Sequence, residues 1–240
     1  MYLYETHCHS SDCSRCGHST VRELVRAYHA AGYAGMVLTD HFVTGSTAVD
    51  RKLPWDQQMR QYYDAYLAAC DEAAPLDFDV IFGFEHHYGQ GKEVLVYGID
   101  LNFLLANPDL DEIPLAVFAE RDHDAGGVVV HAHPYRQRDY IDPDFEPRLE
   151  LVDGIEVYNM GDDSADNDRK ALAHSRKGDY LITCGSDLHI VSDPKLGNAG
   201  LFFAHRVQTG RAFVEALREG ACAFLVEGRI LTEIRETDLP

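Results

Sequence analysis

The chain has 240 residues, of which 45% are hydrophobic. This length suits one large α/β domain as well as two small ones, and the lack of an obvious linker favours a single domain over residues 1–240. The net charge is -19 without any basic block, which argues against nucleic acid polymer as a partner. The apolar runs are too short to cross a bilayer and no secretion signal opens the chain, so we expect a cytoplasmic protein without membrane insertion.

Short apolar runs alternate with helical patterns along the chain. Thr20 and Glu23 have the spacing of a capping box at the start of a helix, and Gly32 is placed to end that helix. The pattern predicts a first strand that opens at Tyr2 and ends in the His7 and His9 pair, with further strands at 36–38, 78–84, 93–97, 128–130, 154–158, 180–184, 200–204 and 222–226. It predicts helices at 20–32, from Pro54 onwards, and at 114–124, 164–177 and 211–219. Strand, helix and strand in this order make parallel units. Roughly seven or eight such units fit a (β/α) barrel better than a doubly wound open sheet.

Histidine and carboxylate clusters follow these strands at their carboxyl ends. The clusters are His7 and His9; Asp40 and His41; Glu85, His86 and His87; His131 and His133; and Asp187 and His189. A lone histidine at a strand end is more often structural than a ligand. Clusters after five successive strands are hard to explain in that way and indicate a metal site where a barrel places its active site. Mixed imidazole and carboxylate donors suit Zn, Mn or Fe.

The order and spacing of these motifs resemble those of the PHP (polymerase and histidinol phosphatase) family of metal-dependent phosphoesterases. The matching segments are His7-Cys8-His9, Thr39-Asp40-His41, Gly83-Phe84-Glu85, Ala132-His133-Pro134 and Gly185-Ser186-Asp187-Leu188-His189. The resemblance implies a distorted (β/α)7 TIM-like barrel with two or three divalent ions at the carboxyl ends of its strands. It also implies that His7, His9, Glu85 and Asp187 surround the first ion. Glu85 would bridge to a second ion held by His133, and His41 with His189 would hold a third.

Two positions depart from the family pattern. The family often completes the third site with an Asp or His in the loop after the first histidine pair, where this chain offers Asp12 as first choice and His18 as second. Where many members have a histidine opening the strand after the bridging glutamate, this chain has Glu93. An oxygen ligand there would make the second site harder and favour Mn or Fe over Zn.

For other polar residues near the clusters, the sequence gives weaker evidence of a role in binding metal or substrate. His131 and His87 share a strand face with an expected ligand but lie one layer away, so ligation is the minority interpretation. Asp40 is better placed to orient an imidazole than to bind metal. Asn159 could touch substrate, a ligand or a helix end. Arg136 and Arg15 could offer a guanidinium fork to phosphate, although solvation explains most such arginines.

The six cysteines of a chain of this size are expected to be reduced. Cys13 and Cys16 have the spacing of half a zinc knuckle or of a redox pair, but no second pair exists. Packing near the site is the favoured interpretation for both, and ligation is the alternative.

The predicted function is hydrolysis of a small phosphorylated metabolite or nucleotide, with Glu85, Asp187, His189 and Arg136 as the catalytic residues. Divalent ions lower the pKa of a shared water, so that hydroxide attacks phosphorus. One alternative is an amidohydrolase acting on C-N or C-O bonds. Such sites often use a bridging lysine, and here Lys92 enters a strand instead of following one. The other alternative is a non-catalytic, metal-stabilised binding module.

Overall fold

The computed structural model describes residues 1–162 and 164–240. The strands are β1 Tyr2–Glu5, β2 Gly35–Leu38, β3 Asp79–Gly89, β4 Lys92–Tyr97, β5 Val128–His131, β6 Gly154–Asn159, β7 Leu181–Gly185, β8 Ala199–Phe203, β9 Ala223–Val226 and β10 Arg229–Leu231. The helices are α1 Val21–Ala30, α2 Trp55–Ala73, α3 Leu101–Ala106, α4 Leu115–Asp124, α5 Ala165–Ser175 and α6 Gly210–Glu219.

Seven strands form the curled sheet that carries the polar clusters. They are hydrogen-bonded in the order β1 to β7, and every neighbouring pair is parallel except those that involve β4. The two ends of this row meet just beyond the strands, where Cys8 after β1 pairs in parallel with Leu188 after β7. The prediction of a distorted (β/α) barrel is therefore confirmed.

The last three strands lie outside this seven-stranded row. β8 pairs antiparallel with β1, and β9 and β10 continue the sheet in antiparallel fashion. The final strand-helix-strand unit therefore does not extend the parallel barrel. Instead, α6 packs Phe213 against Tyr97 of β4 and Phe203 of β8, with ring centroids 5.1 and 5.7 Å apart.

The first helix shows how local sequence fixes the frame of the site. Thr20 caps α1 by accepting a hydrogen bond from Glu23 N, while the Glu23 side chain accepts from Thr20 N, so the capping box is confirmed. The helix buries Val21, Leu24, Val25 and Tyr28 on one face. On this face, the Tyr28 hydroxyl lies 2.9 Å from Oγ of Ser186, the residue before Asp187.

A tight hairpin joins β3 to β4. β3 continues past the predicted end at Glu85 to Gly89, and the connecting Gln90 and Gly91 both have positive φ, 54° and 80°. A connection this short forces the two strands to be antiparallel. As a result, the first residues of β4, including Glu93, lie at the same end of the sheet as Glu85.

Among the described residues, no helix combines the length and apolar character needed to cross a membrane.

Candidate metal centre

The structure brings eight of the nine predicted metal ligands together. They form overlapping groups whose donor atoms lie within 4.8 Å of one another: His7, His9 and Glu85; His7, His133 and Asp187; His41, Glu85 and Glu93; and His9, His41 and His189. All of these residues are buried except His189, which is partly buried. Each comes from a strand of the seven-stranded row or from the segment that directly follows one.

Glu85 lies at the centre of the groups. Its Oε1 is 3.3 Å from His7 Nε2 and 3.0 Å from His133 Nε2. Its Oε2 is 2.8 Å from His41 Nδ1 and 3.5 Å from His9 Nε2. Each oxygen therefore faces two imidazoles, which is an arrangement suited to a carboxylate that bridges two ions.

The predicted first site is compact. Nε2 of His7 lies 3.1 Å from Nε2 of His9, and Asp187 Oδ1 is 3.5 and 3.0 Å from these two nitrogens. Glu93 joins the neighbouring group, with its carboxylate oxygens 3.4 Å from His41 Nδ1 and 3.7 Å from His133 Nε2. His41 thus lies beside Glu93 as well as beside the His9 and His189 imidazoles.

A carboxylate that was not singled out from sequence orients His7. Glu156 of β6 is buried, and its Oε1 lies 3.0 Å from His7 Nδ1, which must donate because a carboxylate only accepts. Its Oε2 accepts from His133 N at 3.0 Å and from Asn159 Nδ2 at 2.8 Å. His7 therefore presents Nε2 to the centre with its lone pair free for a metal ion.

Asp40 supports His9 through a serine. Ser14 Oγ donates to Asp40 Oδ1 at 2.6 Å and lies 3.3 Å from His9 Nδ1. Since the hydroxyl has one proton, His9 Nδ1 is the donor in the second contact. Asp40 thus orients an imidazole, as expected, but through Ser14 and not by direct contact.

Asp12 is the expected ligand that the structure does not bring to the centre. It is exposed, and its Oδ2 accepts a hydrogen bond from Val21 N at the start of α1. His18, the second choice, is exposed as well. His131 is also engaged elsewhere, because its Nε2 lies 2.7 Å from the Tyr88 hydroxyl and its Nδ1 lies 2.9 Å from Ala132 O.

Arg136 holds protein carboxylates and does not present an unpaired fork to the cavity. It donates from Nη1 to Asp187 Oδ2 at 2.7 Å, from Nε to Asp162 Oδ1 at 2.5 Å and from Nη2 to Asn159 Oδ1 at 2.7 Å. The side chain is buried. Its contacts fix the second oxygen of Asp187, so that Oδ1 faces the histidines.

The groups concentrate negative charge that needs cations. Burial alone would lower the pKa of His7, but Glu156, Asp187 and Glu85 outweigh burial and raise this pKa well above its usual value. Burial would raise the pKa of Glu85, yet His7 and His41 hold it well below the usual range. Burial and the nearby Glu85 carboxylate raise the pKa of Glu93 to about 7. Protons and metal ions therefore compete for the same atoms.

Two orphaned atoms test whether the residues fit metal ions. His41 Nδ1 and Glu85 Oε2 are buried and face each other, yet neither makes a hydrogen bond of acceptable geometry. Buried polar atoms rarely go unpaired. The imidazole and carboxylate donors and these unpaired atoms fit a site for more than one divalent ion.

The backbone at the site has two unusual conformations and one position that only glycine fits. His133 and Asp187 have positive φ values of 28° and 52°, a region that non-glycine residues seldom adopt. Gly185 has no room for a side chain, because a Cβ there would lie 2.4 Å from His7 Cβ and 2.5 Å from Glu156 Oε1. Glycine at this position lets β7 approach the first histidine.

A cavity of about 440 Å³ opens over the centre. Its wall combines metal-ligand candidates with Thr44, Gly45 and Ser46 from the segment after β2, and with Tyr140. This volume is within the usual range for small-molecule sites.

The fold is a barrel, and its clustered donors are consistent with a multinuclear metal site. The profile of the PHP domain family matches residues 5–174. The chain therefore belongs to the PHP domain family, as its motifs predicted. The comparison with curated proteins gave no significant match.

Solved structures share the fold at low sequence identity. A two-domain protein from Bacteroides vulgatus, described as containing a "predicted PHP-like metal-dependent phosphoesterase", matches 95% of this chain and 66% of its own, with 16% identity and a TM-score of 0.67. An amidohydrolase from Chromobacterium violaceum with bound sulfate matches 89% of this chain and 96% of its own, with 19% identity and a TM-score of 0.55. Endonuclease Q, in complex with duplex DNA, matches 91% of this chain and 57% of its own, with 11% identity and a TM-score of 0.61.

Proposed function

We propose that this protein is a metal-dependent phosphoesterase that hydrolyses a small phosphorylated metabolite or nucleotide. The observation that carries the proposal is the position of Glu85, whose two oxygens each face two imidazoles. Divalent ions bound there would lower the pKa of water and neutralise phosphoryl oxygens in the transition state. Family membership and the similarity to the Bacteroides vulgatus protein, which is described as a PHP-like metal-dependent phosphoesterase, support the same reaction class.

The chain's own residues would then have distinct roles. His7, His9, Glu85 and Asp187 would hold one ion, and Glu85, Glu93 and His133 a second. His41 and His189 line the cavity beside them, where a third ion would orient the phosphate. Arg136 positions Asp187 and so acts through a ligand.

The size of the cavity and the charge of the chain favour small substrates. With a net charge of -19, the chain attracts an anion only where bound cations supply local positive charge. The structural likeness to Endonuclease Q makes a nucleic acid end the alternative to test.

An amidohydrolase activity is the second candidate, supported by the Chromobacterium violaceum structure. Lys92, however, donates through Nζ to the backbone oxygen of Pro134 at 2.9 Å, so its amine is already engaged with the backbone. It therefore does not supply a bridging lysine.

The test is a panel of phosphomonoesters, phosphodiesters, oligonucleotides and amides with protein loaded with Mn, Zn or Fe. We expect hydrolysis of small phosphoesters that Glu85→Ala abolishes and that the exposed control Glu120→Ala retains. Full turnover by Glu85→Ala, or hydrolysis of amides alone, would overturn the proposal.

A further inference from the structure

One aromatic side chain lies at the rim of the cavity over the metal centre. Tyr140, in the segment between β5 and β6, lines this cavity together with Glu93 and Asp187 and is 65% exposed. Within the described residues, its hydroxyl has no hydrogen-bond partner and its ring stacks on no other ring. A single exposed aromatic residue is ordinary elsewhere on a protein surface, but at the rim of a site it can contact a ligand.

The backbone that carries this ring is anchored to the hairpin between β3 and β4. The next residue, Ile141, is buried, and Asp142 N donates to Gln90 O at 3.1 Å. The segment approaches Gly91 so closely that a Cβ on this glycine would lie 2.8 Å from Ile141 Cα and 2.9 Å from Tyr140 O. The Tyr140 backbone is therefore fixed beside the cavity, although its ring is exposed.

A second ring is attached to the same hairpin. His87 also lines the cavity, and its Nε2 accepts a hydrogen bond from Gly91 N at 3.1 Å. An imidazole nitrogen that accepts a hydrogen bond carries no proton, so His87 is neutral and its proton is on Nδ1. His87 belongs to none of the described donor groups of the metal centre. Two uncharged rings, those of Tyr140 and His87, therefore line the cavity from positions that contact Gly91.

Among the described residues that line the cavity, no lysine or arginine is left to bind a second anionic group. Arg136 is the one such residue in the lining. All of its guanidinium nitrogens donate to protein oxygens, those of Asp187, Asp162 and Asn159. Bound metal ions would neutralise one phosphoryl group at the centre. We therefore expect the part of the substrate beyond that phosphate to be uncharged.

We propose that the cavity selects phosphate monoesters whose leaving group carries an uncharged planar ring, and that this ring stacks on Tyr140. Aromatic side chains bind nucleobases in this way, because every base has a π-face. The short side chains of Thr44 and Ser46, with Gly45 between them, also line the cavity and leave room for such a ring. The inference rests on the proposed phosphoesterase function and narrows its substrates to nucleoside monophosphates and similar heteroaromatic phosphates.

The binding of two matched analogues tests the proposal. The probes are the phosphonates of adenosine 5′-monophosphate and of ribose 5-phosphate, in which a methylene group replaces the ester oxygen and prevents hydrolysis. Calorimetry with the Mn²⁺-loaded full chain gives the Kd of each. We expect the adenosine analogue to bind about 10-fold more tightly, as one base stacked on an aromatic side chain would produce. Tyr140→Phe should retain this preference and Tyr140→Ala should abolish it, while the control Tyr2→Ala, which removes another exposed tyrosine, should retain it.

The outcomes separate this inference from the proposed function. If the wild type hydrolyses phosphoesters but binds the two analogues equally, or binds neither, the ring selectivity is wrong and the proposed function stands. A preference that survives in Tyr140→Ala would likewise overturn the role of Tyr140. If the wild type prefers the adenosine analogue but hydrolyses no phosphoester, the proposed function fails and the ring site remains.

Discussion

His7 Nδ1 donates to Glu156 Oε1 across a distance of 3.0 Å, in the interior of the barrel. The same carboxylate accepts from the backbone N of His133. One residue of β6 therefore sets the orientation of a histidine after β1 and the backbone after β5. The imidazoles of His7 and His133 both belong to the donor groups of the candidate metal centre.

Glu156→Gln should weaken metal binding by about 10- to 100-fold while the fold is retained, because an outer carboxylate fixes the ring orientation and basicity of a ligating histidine. The measurement is competition with a chromogenic chelator. Glu120→Gln serves as the control on the exposed surface. Equal metal affinity in Glu156→Gln and the wild type would show that His7 needs no such support.

Arg136→Met should destabilise the protein even without substrate. The change leaves the buried Asp187 and Asp162 without their cation, and breaking such a pair costs about 3–5 kcal/mol. The free energy of unfolding from denaturant titration measures the effect, with the exposed Arg60→Met as control. If stability is unchanged and only KM for the phosphoester rises, Arg136 is a substrate ligand after all.

Asp122 should make stability depend on pH. It is fully buried with no hydrogen-bond partner on either oxygen, and burial, with Asp153 second, raises its pKa to about 8 from 3.8. Between pH 3.8 and about 8, Asp122 is protonated in the folded state but ionised in the unfolded state. The stabilisation from this bound proton is therefore complete below pH 3.8 and is lost as the pH rises towards 8.

Asp122→Asn should therefore flatten this dependence and stabilise the protein by about 1–3 kcal/mol above pH 8, since no charge is then buried. Thermal or denaturant unfolding at several pH values gives the measurement, and the exposed Asp124→Asn is the control. Parallel pH profiles for wild type and Asp122→Asn would contradict the explanation.

Removal of metal should lower the melting temperature reversibly. Ligand that binds only the folded state at about 100 times its Kd contributes roughly 2.7 kcal/mol. Calorimetry before and after chelation, and after metal is restored, measures this contribution. A melting temperature that does not respond to chelation would mean that the histidine and carboxylate groups bind no ion that stabilises the folded state.

Much of the frame could be predicted because strand ends were marked by polar clusters. The antiparallel direction of β4 was not predicted, although a connection of two residues between Gly89 and Lys92 permits only an antiparallel pair. Asp12 had suitable chemistry and loop reach, but the sequence does not show that its carboxylate binds Val21 N. Glu156 had a readable signal: it lies between Ile155 and Val157 in a buried strand, where an acidic side chain needs a partner.

Elemental analysis of purified Glu85→Gln beside the wild type tests whether Glu85 bridges the bound ions. We predict two or three divalent ions per chain in the wild type. Because Glu85 faces four imidazoles, we predict a loss of at least one ion in the variant, together with loss of phosphoester hydrolysis. Equal metal content and equal turnover in the two proteins would contradict the bridging role of Glu85.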